Sequence, residues 1–201
     1  MNSRPGFTVW LTGPPCAGKT TLANLLAERL QSLDPRRIEV LDAPVRWGSD
    51  SRRAACRDQQ DTDERRIAFA CELLSRKNVI AVAAAESPSR QMRSNARRAI
   101  GRFIEVFADC PLEVCAARDR ASDHAEAIAA HTNDLSESSG FYEPPDNPEV
   151  TCKTSEESAE ASVDRIVATL ERLQYIPPAK AAYSAGEEEQ VRKRLEGLGY
   201  L

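Results

Sequence analysis

The sequence predicts an α/β fold, a parallel sheet of about five strands with helices on both faces. Three observations carry this. Short apolar runs alternate with longer segments whose apolar residues recur at helical spacing. One run, Val79-Ile-Ala-Val-Ala-Ala-Ala85, is apolar throughout, as a strand covered on both faces must be. A glycine-bearing turn, Gly13-Pro-Pro-Cys-Ala-Gly18, joins the first strand to the first helix.

The elements come in this order. Residues 7–11 are apolar and end at Gly13-Pro14-Pro15, which reads as a buried strand. Leu22, Leu25, Leu26, Leu30 and Leu33 define a helix over 20–33, closed by Asp34-Pro35. Residues 38–41 form a second strand ending at Asp42. Residues 46–60 are polar and, with Gly48-Ser49-Asp50, read as a connection. Ile67, Phe69, Ala70, Leu73 and Leu74 mark a helix over 62–77. After the apolar strand, Ser87-Pro88-Ser89 opens a helix over 89–100, and 103–107 is a fourth strand. Residues 111–118 are helical with Pro111 in the first turn. A last short strand covers 150–153, and a helix covers 155–173 with Ser155 as its N-cap and Glu156-Glu157 in its first turn.

The polar stretch between them, about 119–148, is too long for a simple connection and is expected to be a mobile lid. This gives a domain over 1–176 and a tail over 177–201, in which 187–198 forms a short amphipathic helix.

Composition narrows the function. The 201 residues carry 27 Lys and Arg against 31 Asp and Glu, a net charge of −4, which argues against wrapping nucleic acid. At 41% hydrophobic the chain has a core of its own. No apolar run approaches the roughly 20 residues that cross a bilayer. The first residues lack the apolar segment of an export signal. Six cysteines form no C-x-x-C pair and only His124 and His131 accompany them, so a zinc site is not expected. The expectation is a cytoplasmic protein with reduced thiols, and neither nucleic acid nor membrane as partner.

Gly13-Pro-Pro-Cys-Ala-Gly18-Lys19-Thr20 matches G-x-x-x-x-G-K-[ST] at every spacing, between a strand and a helix. This is the phosphate loop of the P-loop NTPase fold. Its glycines let successive backbone N–H groups face phosphates, and the helix N-terminus adds its positive end. Gly13, Cys16, Ala17, Gly18, Lys19, Thr20 and Thr21 are therefore candidate nucleotide contacts. Lys19 is expected to bridge the outer phosphates and Thr20 to hold Mg²⁺, which makes ATP and Mg²⁺ the cofactors. Kinase chemistry needs no thiol nucleophile, so Cys16 is read as a small residue that fits the loop.

Two further stretches carry a resemblance. Gly101-Arg-Phe-Ile-Glu-Val-Phe-Ala-Asp-Cys-Pro-Leu-Glu-Val-Cys-Ala-Ala-Arg-Asp119 is close to the pattern GRFIEV…D-x-PLEVC-x-x-RD, and Tyr142-Glu-Pro-Pro-Asp-Asn-Pro-Glu149 to YEAPENPE. Ser87-Pro88-Ser89-Arg90 with Arg93 and Arg97 echoes SPYR-x-x-R-x-x-x-R. On these residues the chain, from about 8 to 173, resembles the adenylylsulfate kinase family. Those enzymes phosphorylate the 3′-hydroxyl of adenosine 5′-phosphosulfate. The resemblance implies a homodimer, a mobile lid, and Arg118 covering the nucleotide.

Departures fall on the acceptor side. The family's LDGD becomes Leu41-Asp42-Ala43-Pro44, which keeps the first carboxylate and loses the second. Its Arg-x-x-Asn pair becomes Gln60 and Asp63, its FISPYR aromatic is absent from Ala85-Glu86-Ser87-Pro88-Ser89-Arg90, and its lid lysines are missing from 119–127. An anionic ligand is not suited by such losses of cations. Glu86 stands where the apolar strand ends, at the crevice edge of a parallel sheet. It is a candidate for the displaced second carboxylate.

The expectation is an ATP-dependent kinase that transfers the γ-phosphate to a hydroxyl of a small molecule, with a changed acceptor. Lys19, Asp42 and Glu86 are its candidate catalytic residues, Thr20 and Asp42 its metal ligands, and Arg46, Ser87 and Arg90 its substrate contacts. Two alternatives stand beside it. One is a genuine adenylylsulfate kinase; the other is a catalytically weak nucleotide-binding module.

Overall fold

The computed structural model describes residues 4–42, 53–120, 142–178 and 192–197, without the side chains of 53–61, 63, 119 and 120. Its strands are β1 (Phe7–Thr12), β2 (Ile38–Asp42), β3 (Ile80–Ala84), β4 (Phe103–Asp109) and β5 (Val150–Lys153). They form one sheet in the order β2-β3-β1-β4-β5, and every pairing is parallel. The helices are α1 (Lys19–Leu33), α2 (Arg53–Arg76), α3 (Arg90–Ile100), α4 (Leu112–Arg120) and α5 (Ala159–Arg172).

Strand β1 lies at the centre, with Val9 in register between Val82 of β3 and Ile104 of β4. Alternation sends its side chains to opposite faces. Phe7, Val9 and Leu11 join Leu22, Leu26 and Leu30 of α1 and Ile166 and Leu170 of α5. Trp10 faces the other way, into a smaller cluster with Cys71, Ala81, Ala83, Ala96 and Phe103 beside α2 and α3. The alanines of β3 leave room for the Trp10 indole, which lies 5.7 Å from the Phe103 ring. Truncating a fully buried leucine such as Leu26 to alanine costs about 2–5 kcal/mol.

Three of the boundaries that differ from the sequence reading have a physical reason. Helix α2 starts at Arg53, ahead of the expected 62. The run 53–61 is polar but holds no Gly or Pro, and polarity alone does not stop a helix. Helix α5 is capped by Ser158, whose hydroxyl accepts from Ala161 N at 3.1 Å. Ser155 instead lies inside a turn in which Glu156 N and Glu157 N both donate to the Lys153 carbonyl. Strand β4 runs two residues further than expected, to Asp109, and so delivers Asp109 and Cys110 to the same edge as the phosphate loop.

Arg46, Pro44 and residues 121–141 of the expected lid lie outside the described residues. So does the expected tail helix, apart from a helical segment over 192–197. Among the described residues, no helix is long and apolar enough to cross a membrane.

Candidate functional site

At the carboxyl ends of the strands a cavity of about 600 Å³ opens between the phosphate loop and the ends of β2, β3 and β5. Its wall contains Cys16, Gly18, Lys19, Thr20 and Thr21 from the loop and α1, Asp42 from β2, Glu86 after β3, and Arg118 from α4. The topology accounts for this convergence, since every parallel strand delivers its next loop to the same edge.

The loop conformation needs its glycines. Gly13 has φ 152°, and a Cβ there would stand 2.6 Å from the Ala108 carbonyl oxygen. Gly18 has φ 94° and stands at the N-cap of α1. Having no side chain, it leaves the first amides of the helix available to an anion. Cys16 adopts φ 58°, a left-handed conformation that costs a non-glycine residue about 1–3 kcal/mol and is typical of functional loops.

Lys19 is buried, and its Nζ donates to the carbonyls of Gly13 at 3.0 Å and Pro14 at 2.8 Å. Burial lowers its pKa below the usual lysine value, and the nearby negative charge of Glu86 is the largest effect opposing that fall. The two carboxylates come from neighbouring strands. Asp42 pairs in register with Ala84, and Glu86 comes two residues later on that chain. The backbone at Glu86 is pinned: Thr12 Oγ1 donates to its carbonyl at 2.8 Å, and Ala85 N donates to Leu11 O at 3.0 Å. Ser87 then takes φ 43°, a second left-handed turn at the rim.

Not every candidate reaches the cavity wall. Ser87 is fully buried, and its hydroxyl accepts the Trp10 indole N–H at 3.0 Å. The structure therefore corrects its assignment as a substrate contact: the side chain is fully buried beneath the indole and takes no part in the cavity wall. Arg90 is tied to the segment before β5, pairing with Asp146 at 3.1 Å and donating to the Pro144 carbonyl at 2.8 Å. It is absent from the cavity wall, because these partners engage its guanidinium. Gly13 and Ala17 act through backbone carbonyls, which accept from Lys19 and from Thr154. The sequence reading missed Thr154, Glu157, Ala159 and Ser162, which wall the cavity between β5 and α5. The signal was available: β5 is a parallel strand, so the segment after it faces the crevice.

The profile of the adenylylsulphate kinase family matches residues 5–153. An adenylyl-sulfate kinase from Synechococcus sp. (strain JA-3-3Ab) is 41% identical over 174 residues, covering 86% of this chain and 98% of the relative. A probable adenylyl-sulfate kinase from Pyrococcus abyssi is 36% identical over 173 residues, covering 86% and 99%. Among solved structures, the Mycobacterium tuberculosis APS kinase in complex with AMPPNP and APS superposes with a TM-score of 0.64. It is 26% identical, and the match covers 83% of this chain and 98% of that one. A gluconokinase from Sinorhizobium meliloti, at 17% identity and a TM-score of 0.56 over 84% and 93%, shares the fold alone. The chain thus belongs to the adenylylsulphate kinase family and is an ATP-dependent phosphotransferase with a hydroxyl group as acceptor.

Proposed function

We propose that the chain is an adenylyl-sulfate kinase that moves the γ-phosphoryl group of ATP to the 3′-hydroxyl of adenosine 5′-phosphosulfate. The observation that carries this is the match to relatives so named over 98% and 99% of their own lengths. It favours the unchanged acceptor over the changed one. The departures at Pro44, Gln60, Asp63 and 119–127 remain, but their side chains lie outside the described residues.

In the proposed mechanism the loop amides and Lys19 bind the β- and γ-phosphates. The Lys19 amine leaves the Gly13 and Pro14 carbonyls to do so. Thr20, Asp42 and Glu86 line one cavity and offer hard oxygen donors, a set that fits Mg²⁺ held by one or two carboxylates plus phosphates. We assign Thr20 and Asp42 to that ion, which when bound neutralises phosphate charge. Glu86 orients the acceptor hydroxyl and takes its proton. The acceptor oxygen forms a bond to the γ-phosphorus while the bond to the ADP oxygen breaks, and ADP leaves with the electron pair. Arg118 covers the nucleotide, and the active species is a homodimer.

Calorimetry tests the acceptor. Adenosine 5′-phosphosulfate should bind saturably in the presence of MgADP. Nucleotide binding without any binding of this ligand would overturn the acceptor and leave the donor site standing. Sedimentation at twice the chain mass is expected for the dimer.

A further inference from the structure

Thr154 stands where β5 gives way to the turn before α5, and its side chain meets two segments distant in sequence. Its hydroxyl donates to the Ala17 carbonyl of the phosphate loop at 2.8 Å. The same oxygen lies 3.4 Å from Arg118 Nη1, and the Thr154 carbonyl accepts from Arg118 Nη2 at 2.6 Å. Its own amide donates to the Asp109 and Cys152 carbonyls, each at 3.0 Å, so the residue is anchored to the sheet.

We infer that Thr154 is a positioning residue that sets the nucleotide cleft, locking the phosphate loop on one side and Arg118 on the other. A hydroxyl can donate once and still accept, and here it does both. The trans peptide plane fixes N–H opposite C=O, so holding the Ala17 carbonyl also fixes the direction of the Gly18 amide. That amide stands at the N-terminus of α1, where an anion is bound by backbone N–H groups. Arg118 has Cys110 Sγ at 3.5 Å as its other described partner, so Thr154 supplies its strongest anchor. A methyl group in place of the hydroxyl keeps the volume and removes the bond to the Ala17 carbonyl and the 3.4 Å contact to Arg118, while the backbone carbonyl keeps its hold on Arg118.

This inference rests on ATP occupying the cavity and not on the identity of the acceptor. The test compares Thr154→Val and Thr154→Ser with the parent protein. Binding of a non-hydrolysable ATP analogue is measured by calorimetry, and KM for ATP is separated from kcat. Losing one hydrogen bond is expected to weaken the analogue and raise KM for ATP about three- to tenfold in Thr154→Val, with kcat changed less than about twofold. Thr154→Ser should restore both. Melting curves establish that each variant is folded, and Thr154→Ala repeats the test without a β-branch to misplace. Parent-like binding in the valine and alanine variants would overturn the inference. So would a serine variant as weak as valine, or a loss confined to kcat. A parent protein that binds no analogue would overturn the donor reading along with it.

Discussion

The Tyr142 phenol lies 3.1 Å from the Thr12 hydroxyl, which in turn donates to the Glu86 carbonyl at 2.8 Å. Thr12 spends its one proton on Glu86, so Tyr142 must be the donor to Thr12. The segment leading into β5, the residue ahead of the phosphate loop and the candidate base thereby share one hydrogen-bond chain. The Tyr142 ring stacks on Phe107 at 6.0 Å and lies under the Arg93 guanidinium at 5.4 Å.

Burial pushes the Tyr142 phenol up to about 12, so the donor persists across the working pH range. Tyr142→Phe should cost about 0.5–1.5 kcal/mol. For a chain of this size that lowers Tm by about 2–4 °C per kcal/mol, read by calorimetric melting. Because the chain ends on Glu86, kcat should fall more than KM for ATP rises. An unchanged Tm and unchanged kcat would refute the link.

Glu149 gives the expected acid sensitivity. Arg97 grips both its oxygens, at 2.7 and 2.8 Å, and Glu105 N donates to it at 2.7 Å. Burial alone would raise this carboxyl, but the Arg97 fork and the amide outweigh it and hold it below its ordinary 4.5. A depressed carboxyl stabilises the fold above its unfolded pKa. That contribution is lost as pH falls from about 4.5 through the lower folded value. Glu149→Gln should weaken the neutral-pH fold by about 1–3 kcal/mol. It should also flatten the fall of Tm as pH drops below about 4.5. An equally steep acid limb in the variant would contradict this assignment.

The thiols divide by environment. Burial pushes Cys71 and Cys115 up to about 12 and Cys152 to about 11, so they stay protonated and inert. Cys16 is half-buried and lines the cavity. Iodoacetamide should therefore modify Cys16 first among the described thiols. MgATP should slow that reaction, and loss of activity should track it. Peptide mapping that labels Cys71, Cys110, Cys115 or Cys152 ahead of Cys16, or no protection of Cys16 by nucleotide, would count against ATP in this cavity.

The sequence made the local chemistry legible and left the tertiary chemistry hidden. The phosphate loop, the apolar β3 and the parallel sheet could be read because each is set by neighbours in the chain. Ser87 could not, because the partner that claims its hydroxyl, Trp10, lies 77 residues away. Thr154 escaped for the same reason, with Ala17 at a separation of 137. Ser155 and Ser158 are equally good caps in isolation. The turn on the Lys153 carbonyl decides between them. Asp42 and Glu86 were each found at a strand end, but only the β2–β3 register brings them to one wall.

The most direct measurement supplies γ-labelled ATP, Mg²⁺ and adenosine 5′-phosphosulfate, and asks where the label goes. Label should appear on the 3′-position of the acceptor, and Lys19→Ala should reduce its rate by about 10²–10³-fold. ATP bound normally, with no label on adenosine 5′-phosphosulfate and transfer to another hydroxyl compound instead, would contradict the account.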